Sequence, residues 1–248
     1  MNLDRIFLSE SHPCGKELHY VQHALEAKAI TSGGNVVCDF EEDLECYLGN
    51  NVIVNATNSG TSAIHLGLLL LGVKPGDEVI CQSMTFSASV NPILYIGASP
   101  VFVDSELDTW NMCPIALEEA IQDRISKGKK PKCIIVVDLY GMPYHADRIN
   151  EVANKYGIAV LEDSAEALGS RYKGVPCGTL GDIGVFSFNG NKIITTSSGG
   201  ALLLSDASQK ERAAFLATQA RDAAPYYQHS EIGYNYAMSS IAAAVGRG

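Results

Sequence analysis

The sequence predicts an α/β fold with a mostly parallel seven-stranded sheet sandwiched by helices. Short apolar runs alternate with amphipathic segments along its 248 residues. Runs such as Ile134-Ile135-Val136-Val137 are apolar on both faces, as strands buried between two helical layers must be. The composition, 46% hydrophobic and 19% charged, suits a globular chain with one substantial core.

Read for period, the chain places strands at Val52–Val54, Glu78–Gln82, Pro100–Asp104, Cys133–Leu139, Ile158–Glu162, Ile183–Phe188 and Gly200–Leu204. Helices are expected at Gly15–Ala29, Asn35–Leu48, Thr61–Gly72, Ser87–Ile96, Pro114–Ser126, Tyr144–Tyr156 and Ser208–Ala220. There is no internal repeat and no low-complexity linker. The final run from Met238 to Gly246 reads as the start of a helix with no cap and little to pack against, so the chain is expected to be a fragment.

The net charge of −10 argues against a nucleic-acid partner. Lys127-Gly128-Lys129-Lys130 is a short basic run at a helix end and reads as solvated. Seven cysteines without a CxxC pair fit reduced thiols in a cytoplasmic protein. Met1–Ile6 carries no signal-peptide pattern, and Leu66–Val73 is too short an apolar patch to span a bilayer, so no membrane partner is expected. The six histidines lack ligand spacing and no metal site is expected. His65 reads as a packing residue.

In a parallel sheet, ligands bind at the carboxyl ends of the strands. Two residues of unusual placement fall there. Ile158-Ala159-Val160-Leu161 ends in Glu162-Asp163, and the buried strand within Gly181–Asn191 leads to Lys192, with Asp182 the only other ionisable group in that segment. A desolvated lysine is a nucleophilic amine, and a strand-end carboxylate can hold a pyridinium nitrogen protonated; pyridoxal phosphate chemistry needs both. Asp163 could instead cap the following helix or bind magnesium, though no GxxxxGK[ST] loop accompanies it. In Asn58-Ser59-Gly60-Thr61-Ser62-Ala63, a tight turn precedes a helix: either an ordinary cap or a phosphate site using the free first-turn amides. Phe86 follows a strand and is either core or a surface for a planar ring, and Tyr234-Asn235-Tyr236 reads as a helix-entry loop.

Together these segments resemble the DegT/DnrJ-type sugar aminotransferases, a branch of the fold-type I pyridoxal phosphate enzymes. The resemblance covers nearly the whole chain. It rests on Ser59–Ala63, Lys74–Ile80, Gly97–Asp104, Asp138–Gly141, Glu162–Gly169, the segment ending at Lys192, and Gly233–Tyr236, in that order. It implies the large cofactor domain of the aspartate-aminotransferase fold, residues 1–248, ending before a small C-terminal domain. Carried over by position, Lys192 is the Schiff-base lysine and proton shuttle, Asp163 the pyridinium partner, and Phe86 the ring-stacking aromatic. Gly60, Thr61, Ser62 and Ser187 fall to the phosphate, with Asn235 donated to it by the other subunit of a homodimer. Glu166 stands near the cofactor's 3-hydroxyl, where many members carry Gln or His.

The run Asn189-Gly190-Asn191-Lys192-Ile193-Ile194-Thr195-Thr196, with Thr218–Asp222, is similar to the subgroup that aminates C4 of a UDP-linked 4-keto-6-deoxy-N-acetylhexosamine in bacillosamine-type surface-glycan pathways. The implied amino donor is L-glutamate. A pyridoxal phosphate-dependent sugar dehydratase and a fragment with a binding role only are the alternatives; dehydratases typically replace the lysine with His. One position departs from the pattern: Ala237 stands where members carry Arg, leaving Arg221 as the candidate substitute.

Overall fold

A computed structural model describes residues 9–49 and 51–248; the reading at Met1–Ile6 lies outside them. Nine strands and eight α-helices are assigned among these residues. The strands are β1 (Ile53–Thr57), β2 (Glu78–Gln82), β3 (Ser99–Val103), β4 (Cys133–Val137), β5 (Ala159–Asp163), β6 (Arg171–Tyr172), β7 (Val175–Pro176), β8 (Ile183–Ser187) and β9 (Gly200–Leu204). The helices are α1 (Glu17–Glu26), α2 (Asn35–Leu48), α3 (Gly60–Leu70), α4 (Asn91–Tyr95), α5 (Pro114–Ser126), α6 (Ala146–Tyr156), α7 (Ala207–Ala217) and α8 (Ser240–Arg247).

The expected seven-stranded sheet forms in the order β1-β9-β8-β5-β4-β2-β3. The five strands from β8 to β3 are parallel, and β9 runs antiparallel to both neighbours. Alternate residues of each strand enter opposite layers, as the two-residue period requires. Leu202 and Leu204 join the layer of α3 and α7, whereas Ala201 and Leu203 meet α2 and α8. Farther along the sheet, Ile134 and Val136 pack with residues of α5 and α6. Burial on both faces is what the continuous apolar runs encode.

Three expectations need correction. Ser87–Ile96 is a 3-10 turn, Ser87–Ser89, followed by the short α4. Pro92 explains the break: it has no N–H to donate to the carbonyl of Ala88 four residues back, so it fits only the first turn of a new helix. The strand expected to reach Leu139 stops at Val137, because Leu139–Gly141 forms a second 3-10 turn in which Tyr140 takes a left-handed φ of 52°. The final helix has both a cap and packing partners. Ser239 accepts the Ala242 N–H, Ala242–Ala244 are buried, and Arg247 pairs with Asp39 and Asp43 of α2. The sequence reading also passed over the β6–β7 hairpin, whose two-residue arms show no period.

Candidate active site

The carboxyl ends of β4, β5 and β8 open into a cavity of about 1000 Å³. Asp163 ends β5 in register with Val137 of β4 and Val185 of β8. Its side chain is buried, accepting the Ser89 hydroxyl at 2.6 Å and the Ala165 N–H at 3.2 Å. Burial pushes this carboxyl above the usual range, against the opposing pull of those two donors and the Lys192 ammonium.

Lys192 follows β8 in a loop folded back by two backbone bonds, Lys192 N–H to Asn189 O and Thr196 N–H to Phe188 O, both 2.9 Å. Its side chain, only 12% exposed, reaches Glu166 Oε1 at 3.0 Å. The other oxygen of Glu166 accepts the Tyr140 N–H at 3.1 Å. An amine, a buried carboxylate and a second acid therefore converge at one end of the sheet.

Across the cavity stands the amino end of α3. Ser59 caps it by accepting the Ser62 N–H at 3.1 Å. The remaining first-turn amides have no partner inside a helix, and they form its positive end. Gly60 makes this approach feasible, since a Cβ there would come within 2.8 Å of Ser187 Cβ at the end of β8. A Cβ on Gly200 would likewise lie 2.4 Å from the Ser59 backbone. Two glycines thus let the helix end, Ser187 and the β9 backbone crowd together, a cradle of donors fit for an anion.

Gly60, Thr61, Phe86, Asp163, Glu166, Ser187 and Lys192 all line the cavity. Phe86 is 75% exposed there, so it is not core. Two candidates are not among the lining residues. Ser62 turns inward, its hydroxyl donating to Asn58 Oδ1 at 2.6 Å. Asn235 accepts the Asn58 side-chain amide through its own backbone oxygen, at 2.9 Å. Arg221 stacks on Tyr227, 4.3 Å from the ring centroid, and does not line the cavity either. His65 packs as expected, bonded to the Tyr236 hydroxyl at 3.1 Å among Tyr95, Tyr234 and Tyr236.

Sequence reasoning missed Ser89 and the pairing partner of Asp138. No sequence signal marks Ser89, which closes the Ser87–Ser89 turn seven residues past the end of β2. Glu162 turns away from Asp163 and accepts three backbone N–H groups, from Gly178, Leu180 and Gly181, at 2.7 to 3.0 Å. Asp138 is buried beside it; that burial, and then the charge of Glu162, pushes the Asp138 carboxyl up to about 8.

This fold and cavity bring an amine, a buried carboxylate and a helix amino end together at the carboxyl ends of an α/β sheet. Residues 14–248 match the DegT/DnrJ/EryC1/StrS aminotransferase family, and the chain belongs to that family. It is a family of pyridoxal phosphate-dependent aminotransferases. EpsN of Bacillus subtilis (strain 168), provisionally named a pyridoxal phosphate-dependent aminotransferase, is 52% identical over 98% of this chain and 62% of its own length. GDP-perosamine synthase of Escherichia coli O157:H7 is 43% identical over 94% of this chain and 62% of its own. Spr1654 from Streptococcus pneumoniae, solved in PMP and PLP forms, superposes with TM-scores of 0.89 and 0.88 at 31% identity. The match to its PLP form covers 98% of this chain and 65% of that one. The chain thus spans less than two thirds of the length of these relatives. Among the described residues, no helix is long and apolar enough to cross a membrane.

Proposed function

We propose that this chain forms the cofactor-binding part of a nucleotide-sugar aminotransferase, which transfers an amino group from L-glutamate to C4 of a UDP-linked 4-keto-6-deoxy-N-acetylhexosamine. The observation that carries this reading is one cavity holding the Lys192 amine, the buried Asp163 carboxylate and the crowded α3 end. The residues fit pyridoxal phosphate: an amine for its aldehyde, a desolvated carboxylate for its ring nitrogen, and a donor cradle for its phosphate. Once bound, that group supplies an aldehyde carbon that exchanges amines and a ring that accepts electrons.

The chain's own residues divide the remaining work. Asp163, held by Ser89 and Ala165, orients and keeps a proton on the ring nitrogen. The first-turn amides of Gly60 and Thr61, with Ser187, bind the phosphate. Phe86 covers a ring face and limits water. Lys192 would hold the cofactor's aldehyde through its amine, and its Nζ would serve as the proton carrier. Glu166 lies near the 3-hydroxyl. Asn235, which does not line the cavity of its own chain, serves the site of a second copy in a homodimer, and the protein works in the cytoplasm.

The UDP-linked substrate rests on the likeness of Asn189–Thr196 to that subgroup. A GDP-linked keto-sugar is the second reading, favoured by the 43% identity to GDP-perosamine synthase. Both are tested by supplying the protein with glutamate and UDP-, GDP- or TDP-linked 4-keto sugars and identifying any amino sugar by mass and NMR. With pyridoxal phosphate added, the protein is expected to absorb in the visible and Lys192→Ala to lose both the band and turnover. Transamination retained by Lys192→Ala would remove the assignment.

A further inference from the structure

Glu166 introduces a carboxylate into the reacting centre, with consequences beyond a contact to the 3-hydroxyl. Its Oε1 lies 3.0 Å from Lys192 Nζ, the atom that reacts, and its Oε2 is fixed by the Tyr140 N–H at 3.1 Å. That N–H is aimed by the left-handed turn at Tyr140, so the carboxylate has little freedom to leave the amine. The lysine is nearly enclosed at 12% exposure, whereas Glu166 is 34% exposed and adjoins solvent. Asp163, the other acid facing this amine, is buried and held by Ser89. Glu166 is therefore the acid placed to exchange protons between Lys192 and water. Gln or His at this position could bond to the amine, but a carboxylate adds full compensation of its charge.

We propose that Glu166 is the proton acceptor of Lys192: it stores the amine as an ammonium ion and takes its proton when the amine attacks a carbonyl. The inference rests on the pyridoxal phosphate reading above. The step balances as follows. Nζ–H passes a proton to Oε1, and the freed lone pair forms the bond to the aldehyde carbon. A second nitrogen proton moves to the former carbonyl oxygen. Glu166 then returns its proton to that oxygen, which leaves as water. The product is a protonated imine, and the carboxylate is regenerated. No oxidant or further reactant is required.

The test compares the unsubstituted chain with Glu166→Gln and Glu166→Asp. Stopped-flow absorbance follows capture of pyridoxal phosphate, while equilibrium titration measures affinity for pyridoxamine phosphate, which has no aldehyde. Glu166→Gln is expected to slow capture about 100-fold, the lower end for a positioned acid–base group, with pyridoxamine phosphate affinity changed less than about threefold. Glu166→Asp should recover part of the rate. In the cofactor-free protein, Lys192 labelling by a small acylating reagent at neutral pH, read by peptide mass spectrometry, should rise in Glu166→Gln as the stored ammonium is lost. Capture and labelling both unchanged in Glu166→Gln overturn the proposal. Equal losses of capture and pyridoxamine phosphate affinity also overturn it, by reducing Glu166 to a binding contact. Failure of the unsubstituted chain to capture pyridoxal phosphate would instead reject the functional reading, leaving the labelling comparison to decide whether Glu166 stores the lysine's proton.

Discussion

Glu162→Gln should destabilise the chain without removing any side chain that lines the cavity. Glu162 is buried; Oε1 accepts the Gly178 N–H at 2.7 Å and the Ser164 hydroxyl at 3.1 Å, and Oε2 accepts the Leu180 and Gly181 N–H groups at 2.7 and 3.0 Å. The best orientation of a glutamine keeps its oxygen toward Leu180 and Gly181 and turns its NH₂ toward Gly178. One buried N–H then faces another donor, at a cost of about 1–3 kcal/mol. The two bonds that survive lose their charged acceptor, together about 1–2 kcal/mol more, and relief of the buried charge offsets part of this. A net loss of about 2–4 kcal/mol is expected, large against a domain stability of about 5–15 kcal/mol. Urea unfolding by circular dichroism measures it, with the pH dependence as a second readout. Asp138, raised to about 8 from an ordinary 3.8, keeps a proton in the folded chain that the unfolded chain releases. Between those values the folded state binds more protons, so this group's contribution falls as pH rises from about 4 to about 8. Removing the Glu162 charge should flatten that slope. A loss below about 1 kcal/mol with an unchanged slope would refute the reasoning.

Ser89→Ala removes the hydroxyl bonded to Asp163 at 2.6 Å; pyridoxal phosphate affinity, followed by absorbance titration, should weaken about 10-fold or more, as for a lost hydrogen bond to a charged group. Gly60→Ala puts a Cβ within 2.8 Å of Ser187 and should weaken binding of inorganic phosphate and of the cofactor together, by calorimetry, whereas equal affinities would show that the crowding is relieved elsewhere. His65, buried and lowered from 6.5 to about 4, stays neutral in the folded chain while the unfolded chain takes up a proton. Stability should therefore fall as pH drops from about 6.5 to about 4, by at most about 1.4 kcal/mol per unit, and His65→Gln should lose that component in acid unfolding curves.

The sheet was legible because a strand buried on two faces has no polar alternation to disguise it: Glu78–Gln82 and Gly200–Leu204 fall within their predicted bounds. Lys192 and Asp163 were legible for the converse reason, as ionisable groups beside apolar runs. The sequence could not distinguish Thr61 from Ser62. Neighbouring positions on a helix point about 100° apart, so one reaches the cavity and the other folds back into the cap. Nor was Ser89 visible as a partner of Asp163, because 74 residues separate them and only the packing of the turn after β2 brings them together. The Ser87–Ile96 period was a helical one, and Pro92 broke it into two turns.

Adjacent carboxylates at the end of β5 illustrate how one strand can divide framework from chemistry. Side chains on a strand alternate, so Glu162 and Asp163 must face opposite ways. Asp163 enters the cavity, while Glu162 grips the backbone from Gly178 to Gly181 that leads into β8. The same grip requires glycine opposite it. Glu162 registers with Gly184, where a Cβ would fall 1.8 Å from the Gly178 carbonyl oxygen. The start of β8 is thus fixed to β5 by a carboxylate and two glycines. Four residues after its start β8 ends at Ser187, and its loop delivers Lys192. The spacing between the amine and the buried acid therefore depends on Glu162, a residue that touches neither the cavity nor the lysine. Substituting it should disturb their alignment through the backbone before it alters any contact in the site.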